Sequence, residues 1–132
     1  MEKLDKSRSV KLISKEKEIK IKILQEIEQI AKQLLKDIGM KINCVGVNYW
    51  ILALYTAIDN HINKKEQIKI MYVYYLIARY YKTNISNVRK AMSYVYGKLD
   101  LNRYFNVTYK INNTVLLFLL KDKLLERLKA TL

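Results

Sequence analysis

The chain has 132 residues, with 25 lysines and arginines against 12 acidic residues and a formal net charge of +13. This length suits one domain around one hydrophobic core. The charge favours a polyanionic partner, nucleic acid first and an anionic membrane surface second. The sequence has no proline and only three glycines, which argues against sandwiches and barrels because they need many turn residues. We therefore predict an all-α fold.

Few side chains are available for catalysis or metal binding. His61 and Cys44 are the only histidine and cysteine, and no glycine-rich phosphate loop or zinc-ligand set is present. We therefore expect neither enzymatic activity nor a cofactor. A single cysteine fits a reducing compartment, and the charged N-terminus lacks the apolar segment of a signal peptide, so we expect a cytoplasmic protein. The longest apolar run, Val115–Leu120, is too short to span a membrane.

Residues 1–15 are polar and basic and are predicted to be flexible, and residues 16–132 are predicted to form a single bundle of about five to six helices. The first helix is expected from Glu16, with its apolar stripe running from Leu24 to Ile38 and Gly39 as its C-cap. The alternating residues 19–23 are interpreted as its entry. The stripe is interpreted as packing on its own domain, and an intermolecular coiled coil is the alternative.

Three further helical regions follow. The first is predicted at Val47–Ile58, apolar nearly all round and therefore central, with Tyr49 and Trp50 in the core. Asp59–Lys65 is predicted to be a loop that carries His61 at the surface. The next stretch begins near Glu66, as one helix or two, and its expected apolar positions are Ile68, Met71, Tyr72, Tyr75 and Leu76. After a loop at 98–110 with one short helical turn, a last helix is predicted at Val115–Lys129, capped by Asn113 or Thr114 and apolar at Leu116, Leu117, Leu120, Leu124, Leu125 and Leu128.

The segment Tyr72–Gly97 has the spacing of a helix-turn-helix. Val88 follows Ile77 by eleven residues, and the small Ala78 permits a close crossing of the two helices. Asn84 occupies a typical N-cap position. Helical spacing then directs one set of residues inward (Ile85, Val88, Ala91, Met92 and Val95) and another outward (Ser86, Asn87, Arg89, Lys90, Ser93 and Tyr94).

Positive charge is concentrated around this segment. Between positions 64 and 110 there are ten basic residues and only two acidic ones, whereas the first forty-one residues are nearer to balance. A basic segment around a helix of about three turns predicts contact with the phosphates of DNA.

Landmarks spread from Leu24 to Leu128 resemble the C-terminal DNA-binding effector domain of the sporulation master response regulator of endospore-forming Firmicutes. They are Ile38-Gly39, Gly46, Tyr49, Ala53, Ile77-Ala78, Thr83, Ser86, Val88, Ala91, Met92 and Asp122-Lys123-Leu124. The resemblance implies an all-α bundle with a helix-turn-helix that binds a DNA box in sporulation promoters, with homodimers possible on tandem sites. It also implies that bases and backbone are met by Ser86, Asn87, Arg89, Lys90 and Ser93.

The chain departs from the family pattern at the residues that would read DNA. The family typically has Val-Glu-Arg-Ala-Ile-Arg where this chain has Val-Arg-Lys-Ala-Met-Ser at 88–93, and Tyr75 stands at a usual proline position. Lysine lacks the bidentate fork of arginine, so DNA binding carries over more safely than sequence preference. Nothing in the sequence resembles a receiver domain, so a free-standing effector and part of a longer regulator both stay open.

Together these observations predict a sequence-specific, double-stranded DNA-binding transcriptional regulator that reads the major groove with a helix at about 85–96. Phosphate contacts are expected from Arg79, Lys82, Tyr94 and Lys98, beside the base-facing residues named above. Two alternatives stay open. One is a protein-interaction module that pairs with a full-length regulator through the Leu24–Ile38 stripe or the last helix and modulates it. The other, weaker, is RNA binding through the eleven tyrosines.

Overall fold

The structure, a computed structural model, describes residue 18 and residues 22–64 and 68–131. The predicted flexible segment 1–15, the predicted helix start at Glu16, most of the alternating run at 19–23, and Lys65 and Glu66 lie outside these residues. Within them the fold is all-α, as predicted, with six helices and no strand. Their bounds are α1 22–38, α2 Val45–Lys64, α3 Ile70–Tyr80, α4 Ile85–Tyr94, α5 Leu101–Phe105 and α6 Asn113–Thr131.

Helix α2 is the centre of the bundle and packs against α3, α4 and α6. Its side chains Trp50, Ala53, Leu54 and Ile58 are fully buried, which confirms the prediction of a central apolar helix. The Trp50 indole N–H donates to the carbonyl of Met92 on α4 at 2.9 Å, so the one polar atom of this core side chain is satisfied.

Helix α1 packs on its own chain, as the preferred interpretation had it. Ile27, Ala31, Leu34 and Leu35 are buried in the core that all the long helices share. The helix ends at Gly39, where φ is +110°, and the amide of Met40 donates to the carbonyl of Leu35 at 3.0 Å. This bond defines a Schellman cap with glycine in the left-handed position, as predicted.

The loop predicted at Asp59–Lys65 is wrong, because α2 continues to Lys64. No proline or glycine interrupts these residues, and the Asn63 amide donates to the Asp59 carboxylate at 2.8 Å, an i, i+4 bond that supports the last turns. His61 lies at the surface, as expected. At the start of α6 the cap is also displaced, since Asn112, rather than Asn113 or Thr114, accepts the amide hydrogen of Val115 at 2.9 Å.

The predicted inner face of α3 is wrong at three positions. Tyr72 and Tyr75 are 50% and 47% exposed and Met71 is exposed, whereas the side chains facing the core are Val73, Tyr74, Ile77 and Ala78. The helix is a single one that begins at Ile70, and nearly all its residues are apolar or aromatic. The apolar count therefore could not distinguish one face from the other.

None of the helices in the described ranges has the combination of length and apolar character needed to cross a bilayer.

Candidate nucleic-acid interface

Helices α3 and α4 are joined by the four residues Tyr81–Asn84. The amide of Thr83 donates to the carbonyl of Ala78 at 2.9 Å, which closes α3 with the six-to-one bond of a Schellman cap. Lys82 occupies the left-handed position of this cap, with φ of +55°. Glycine is the usual residue there, so the turn holds a lysine in a conformation that its own backbone preference disfavours.

The first turn of α4 is fixed by two asparagines. The Asn84 side chain accepts the backbone N–H of Asn87 at 2.8 Å, which confirms the predicted N-cap. The Asn87 amide nitrogen in turn donates to the Thr83 hydroxyl at 3.1 Å. Asn87, which was predicted to face bases, is exposed, and its hydrogen bond to Thr83 fixes the orientation of its side chain.

The inward face of α4 follows the prediction. Val88 and Met92 are fully buried, and the other three predicted inward residues, Ile85, Ala91 and Val95, are partly buried against the core. Gly46, in the first turn of α2, lies under this face. A Cβ atom at Gly46 would lie only 2.2 Å from the Ala91 carbonyl oxygen, so the two helices cross with backbone almost in contact.

Eight of the nine residues predicted to bind nucleic acid are exposed: Arg79, Lys82, Ser86, Asn87, Arg89, Lys90, Tyr94 and Lys98. The Tyr94 side chain is 80% exposed. Arg79 and Lys82 lie where α3 leads into α4, and Lys98 follows the end of α4. The exposed residues therefore run along α4, which is about 15 Å long, and extend past both its ends.

Ser93 departs from the predicted outward position. Its side chain is half-buried, and its hydroxyl donates to the Asn113 side-chain oxygen at 3.2 Å. The start of α6 covers this flank of α4, which a helical wheel of α4 alone does not reveal. The predicted outward position of Ser93 is therefore wrong, because its hydroxyl is bound in the packing of α4 on α6.

Asn113 is a buried amide that ties α4 to α3 and α6. Its nitrogen donates to the Tyr74 hydroxyl at 2.9 Å and to the Arg89 carbonyl at 3.3 Å, and its oxygen also accepts the Tyr96 hydroxyl. Burial raises the pKa of the Tyr96 phenol, more than the hydrogen bond with Ser93 lowers it, so this hydroxyl stays a donor at neutral pH. The sequence suggested Asn113 only as a cap. The sequence did carry one signal for a buried role. Asn113 lies one helical turn before the apolar Leu117, so the two side chains share a face of α6, and a polar side chain on a buried face needs hydrogen-bond partners.

The surface around α4 is cationic and almost free of acid. No aspartate or glutamate occurs between positions 67 and 99. The ion pairs found among the described residues, Lys32–Glu28, Lys123–Glu126 and Arg127–Asp37, all lie on α1 and α6. The cations beside α4 are therefore not neutralised by any of these carboxylates, which leaves a positive potential at this surface.

Two shallow clefts flank Tyr94. One, of about 500 Å³, is lined by Lys41, Cys44 and Lys98 among others, and the second, of about 460 Å³, lies towards Val45 and Lys90. Within the described ranges, no three histidine, cysteine or acidic side chains come together in a way that could hold a metal ion.

Comparison with known proteins yields no match, either to a protein-family model, to a curated protein or to a solved structure. Function is therefore inferred from the geometry and charge of α3, α4 and the residues around them.

Proposed function

We propose that this protein binds double-stranded DNA, with α3 and α4 acting as a helix-turn-helix and α4 entering the major groove, and that it regulates transcription. One observation carries the proposal. Helix α4 is fixed to the bundle by its apolar face, while its opposite face is exposed and cationic. No aspartate or glutamate occurs between positions 67 and 99. A helix of this width fits a major groove about 12 Å wide.

The exposed residues divide into two roles under this proposal. Ser86, Asn87, Arg89 and Lys90 lie on the first turns of α4, where base edges are met in this kind of docking. Arg79, Lys82, Tyr94 and Lys98 lie at the margins and are suited to phosphates, which fix register without reading sequence. The family resemblance supports the first group only, because it implies contacts to bases and backbone at Ser86, Asn87, Arg89 and Lys90. It also implies Ser93, which is half-buried here.

The proposal is tested by selecting bound sequences from a random duplex pool, followed by fluorescence anisotropy with the selected and a scrambled duplex. If about six phosphates are engaged, affinity should fall on the order of a thousand-fold between 50 and 200 mM salt. A complex that is insensitive to salt, or a pool that yields no enrichment, would contradict the proposal.

Lys90→Ala and Lys129→Ala form a matched pair, because each removes one exposed lysine and only the first lies on α4. Lys90→Ala should lower the preference for the selected duplex by about 1–3 kcal/mol, and Lys129→Ala should leave it unchanged. Equal preference in the two variants would show that α4 is not the reading element.

The alternative is a module that pairs with a full-length regulator. The two surfaces first expected to mediate pairing, the stripe on α1 and the apolar face of α6, are mostly buried within the chain itself, with Leu24 exposed. A different surface favours this alternative: Met71, Tyr72 and Tyr75 expose an apolar row on α3. Size-exclusion chromatography with light scattering, run beside duplex anisotropy, distinguishes the cases. Under the alternative the parent pairs and binds no duplex, and Tyr72→Ser disrupts the pairing. Under the proposed function the parent binds the selected duplex, and Tyr72→Ser keeps that affinity.

A further inference from the structure

The loop between α5 and α6, residues 106–112, is held in one shape by the side chain of Asn102. Its amide nitrogen donates to the carbonyls of Val107 and Tyr109, at 3.0 and 2.7 Å. Asn106 adopts φ of +55°, and the Val107 amide donates back to the Asn102 carbonyl at 3.1 Å, so α5 ends in a left-handed cap. The loop is therefore preformed and needs no partner to order it.

This loop and α5 present a second group of exposed cationic and aromatic side chains. Arg103, Tyr104, Tyr109 and Lys110 are all exposed. The nearest carboxylate before them, Asp100, accepts the backbone N–H of Arg103 as the cap of α5, and no further acidic residue occurs before position 122. A cationic surface with phenolic hydroxyls among the charges is chemically suited to phosphate oxygens.

The loop lies beside α4. Asn113, which follows it directly, donates to the carbonyl of Arg89 and accepts from Ser93. Lys110 precedes Asn113 by three residues, which limits their separation to roughly 11 Å even in an extended chain. Lys110 therefore lies within this distance of a residue that contacts α4.

We propose that the α5–α6 loop is a second nucleic-acid contact, in which Arg103 and Lys110 bind phosphates of the duplex next to the groove that α4 enters. The Tyr109 hydroxyl donates to a neighbouring phosphate. This inference rests on the proposed function and adds an element that recognises backbone and not bases. Because Asn102 fixes the loop in advance, the contact forms without ordering a flexible segment.

The test compares two double variants that each remove two positive charges. Arg103→Ala/Lys110→Ala should weaken selected and scrambled duplexes alike, by about tenfold, and should reduce the slope of log affinity against log salt by about 2. The control, Lys36→Ala/Lys129→Ala, removes two exposed lysines elsewhere. Lys129 lies about 24 Å along α6 from Asn113, and this control should change affinity less than twofold and leave the slope intact.

Asn102→Ala supplies a readout that charge alone would not give. It keeps every charge but releases the loop, so duplex affinity should fall several-fold with the salt slope unchanged, provided that circular dichroism shows the helical fold retained. If the Arg103/Lys110 variant binds as the parent does while Lys90→Ala loses sequence preference, the loop proposal is wrong and the proposed function stands. If the parent protein binds no duplex, both are wrong.

Discussion

Four groups depend on the side chain of Asn113: the Tyr74 hydroxyl on α3, the Ser93 hydroxyl and the Arg89 carbonyl on α4, and the Tyr96 hydroxyl just after α4. A buried amide with its donors and acceptors satisfied specifies one arrangement of the helices around it, because any shift leaves polar atoms without partners. The exposed face of α4 is therefore positioned by a buried residue on the flank of this helix.

Asn113→Ala should destabilise the fold by about 2–4 kcal/mol, because it leaves several buried polar groups without partners. Thermal unfolding followed by circular dichroism should show a fall in Tm of roughly 10 °C. Asn112→Ala is the control, since it removes only the α6 cap and should cost about 1 kcal/mol. A Tm of Asn113→Ala at or above that of Asn112→Ala would contradict the assigned role.

We expect the side chain of Lys82 to strengthen duplex binding through its charge, while its left-handed backbone conformation lowers the stability of the fold. Lys82→Gly relieves the left-handed conformation at φ of +55° and should stabilise the fold by about 1 kcal/mol, while it weakens selected and scrambled duplexes to a similar extent. Denaturant unfolding and anisotropy measure the two effects. Asn106→Gly, at the same φ, should gain less stability because asparagine tolerates this conformation. A Lys82→Gly variant that loses stability, or that keeps full affinity, would refute this interpretation.

At the scale of helices, the close crossing of α2 and α4 explains why a glycine lies inside the first turn of α2. The sequence predicts a helix that begins at Val47, with Gly46 just before it. In the structure it lies within α2, where the absence of Cβ lets the backbone of α4 approach. The requirement for glycine at position 46 comes from α4, whose Ala91 lies 45 positions further along the chain. Local helix propensity therefore could not predict it.

Gly46→Ala should destabilise the fold by about 1–3 kcal/mol, because its Cβ would meet the Ala91 carbonyl and the Val95 side chain. Helix propensity alone predicts the opposite sign, a gain near 1 kcal/mol. Gly97→Ala is the matched control, since the nearest atom to its Cβ would be 3.7 Å away. Urea unfolding of both variants gives the comparison, and a Gly46→Ala variant as stable as the parent would exclude the tight crossing.

For the whole molecule, sequence reasoning located α4 and its cap because periodicity and the side chain of Asn84 agree there. It misassigned α3 because tyrosine and methionine tolerate both core and surface, so a helix rich in them has no clear inner face. It ended α2 too early by weighing the polarity of Asp59–Lys65 above the lack of any helix breaker. The roles of Ser93 and Asn113 arise from the packing of α6 on α4, a tertiary fact that periodicity cannot supply.

The first and last helices of the bundle are joined by an ion pair, in which Arg127 lies 2.9 Å from the Asp37 carboxylate. Hydrogen bonds from Gln33 and then Arg127 hold the pKa of Asp37 below its ordinary value. The folded state therefore favours the carboxylate. Its contribution to stability is complete above the ordinary pKa of about 4 and is lost as pH falls through the lower pKa of the folded state.

Asp37→Asn should therefore reduce the loss of Tm between pH 6 and pH 3, measured by circular dichroism at low salt. Arg127→Gln should reduce it in the same direction, because the same pair is broken. Asp122→Asn removes one negative charge from the exposed side of α6 without touching this pair, and its loss of Tm should stay closer to that of the parent. Parallel curves for the parent and Asp37→Asn would argue against a contribution from this pair.

The crossing of α2 and α4 has a consequence for the heat-capacity change that we expect on duplex binding. With Ala91 backed by Gly46 and the Met92 carbonyl held by Trp50, α4 has little freedom to adjust to a ligand. Its conformational entropy is lost at folding and not at association. Calorimetry of duplex binding should therefore give a small heat-capacity change, set by the buried contact surface alone. A recognition helix that folds only on its target would give a much larger one, because folding buries apolar surface of its own.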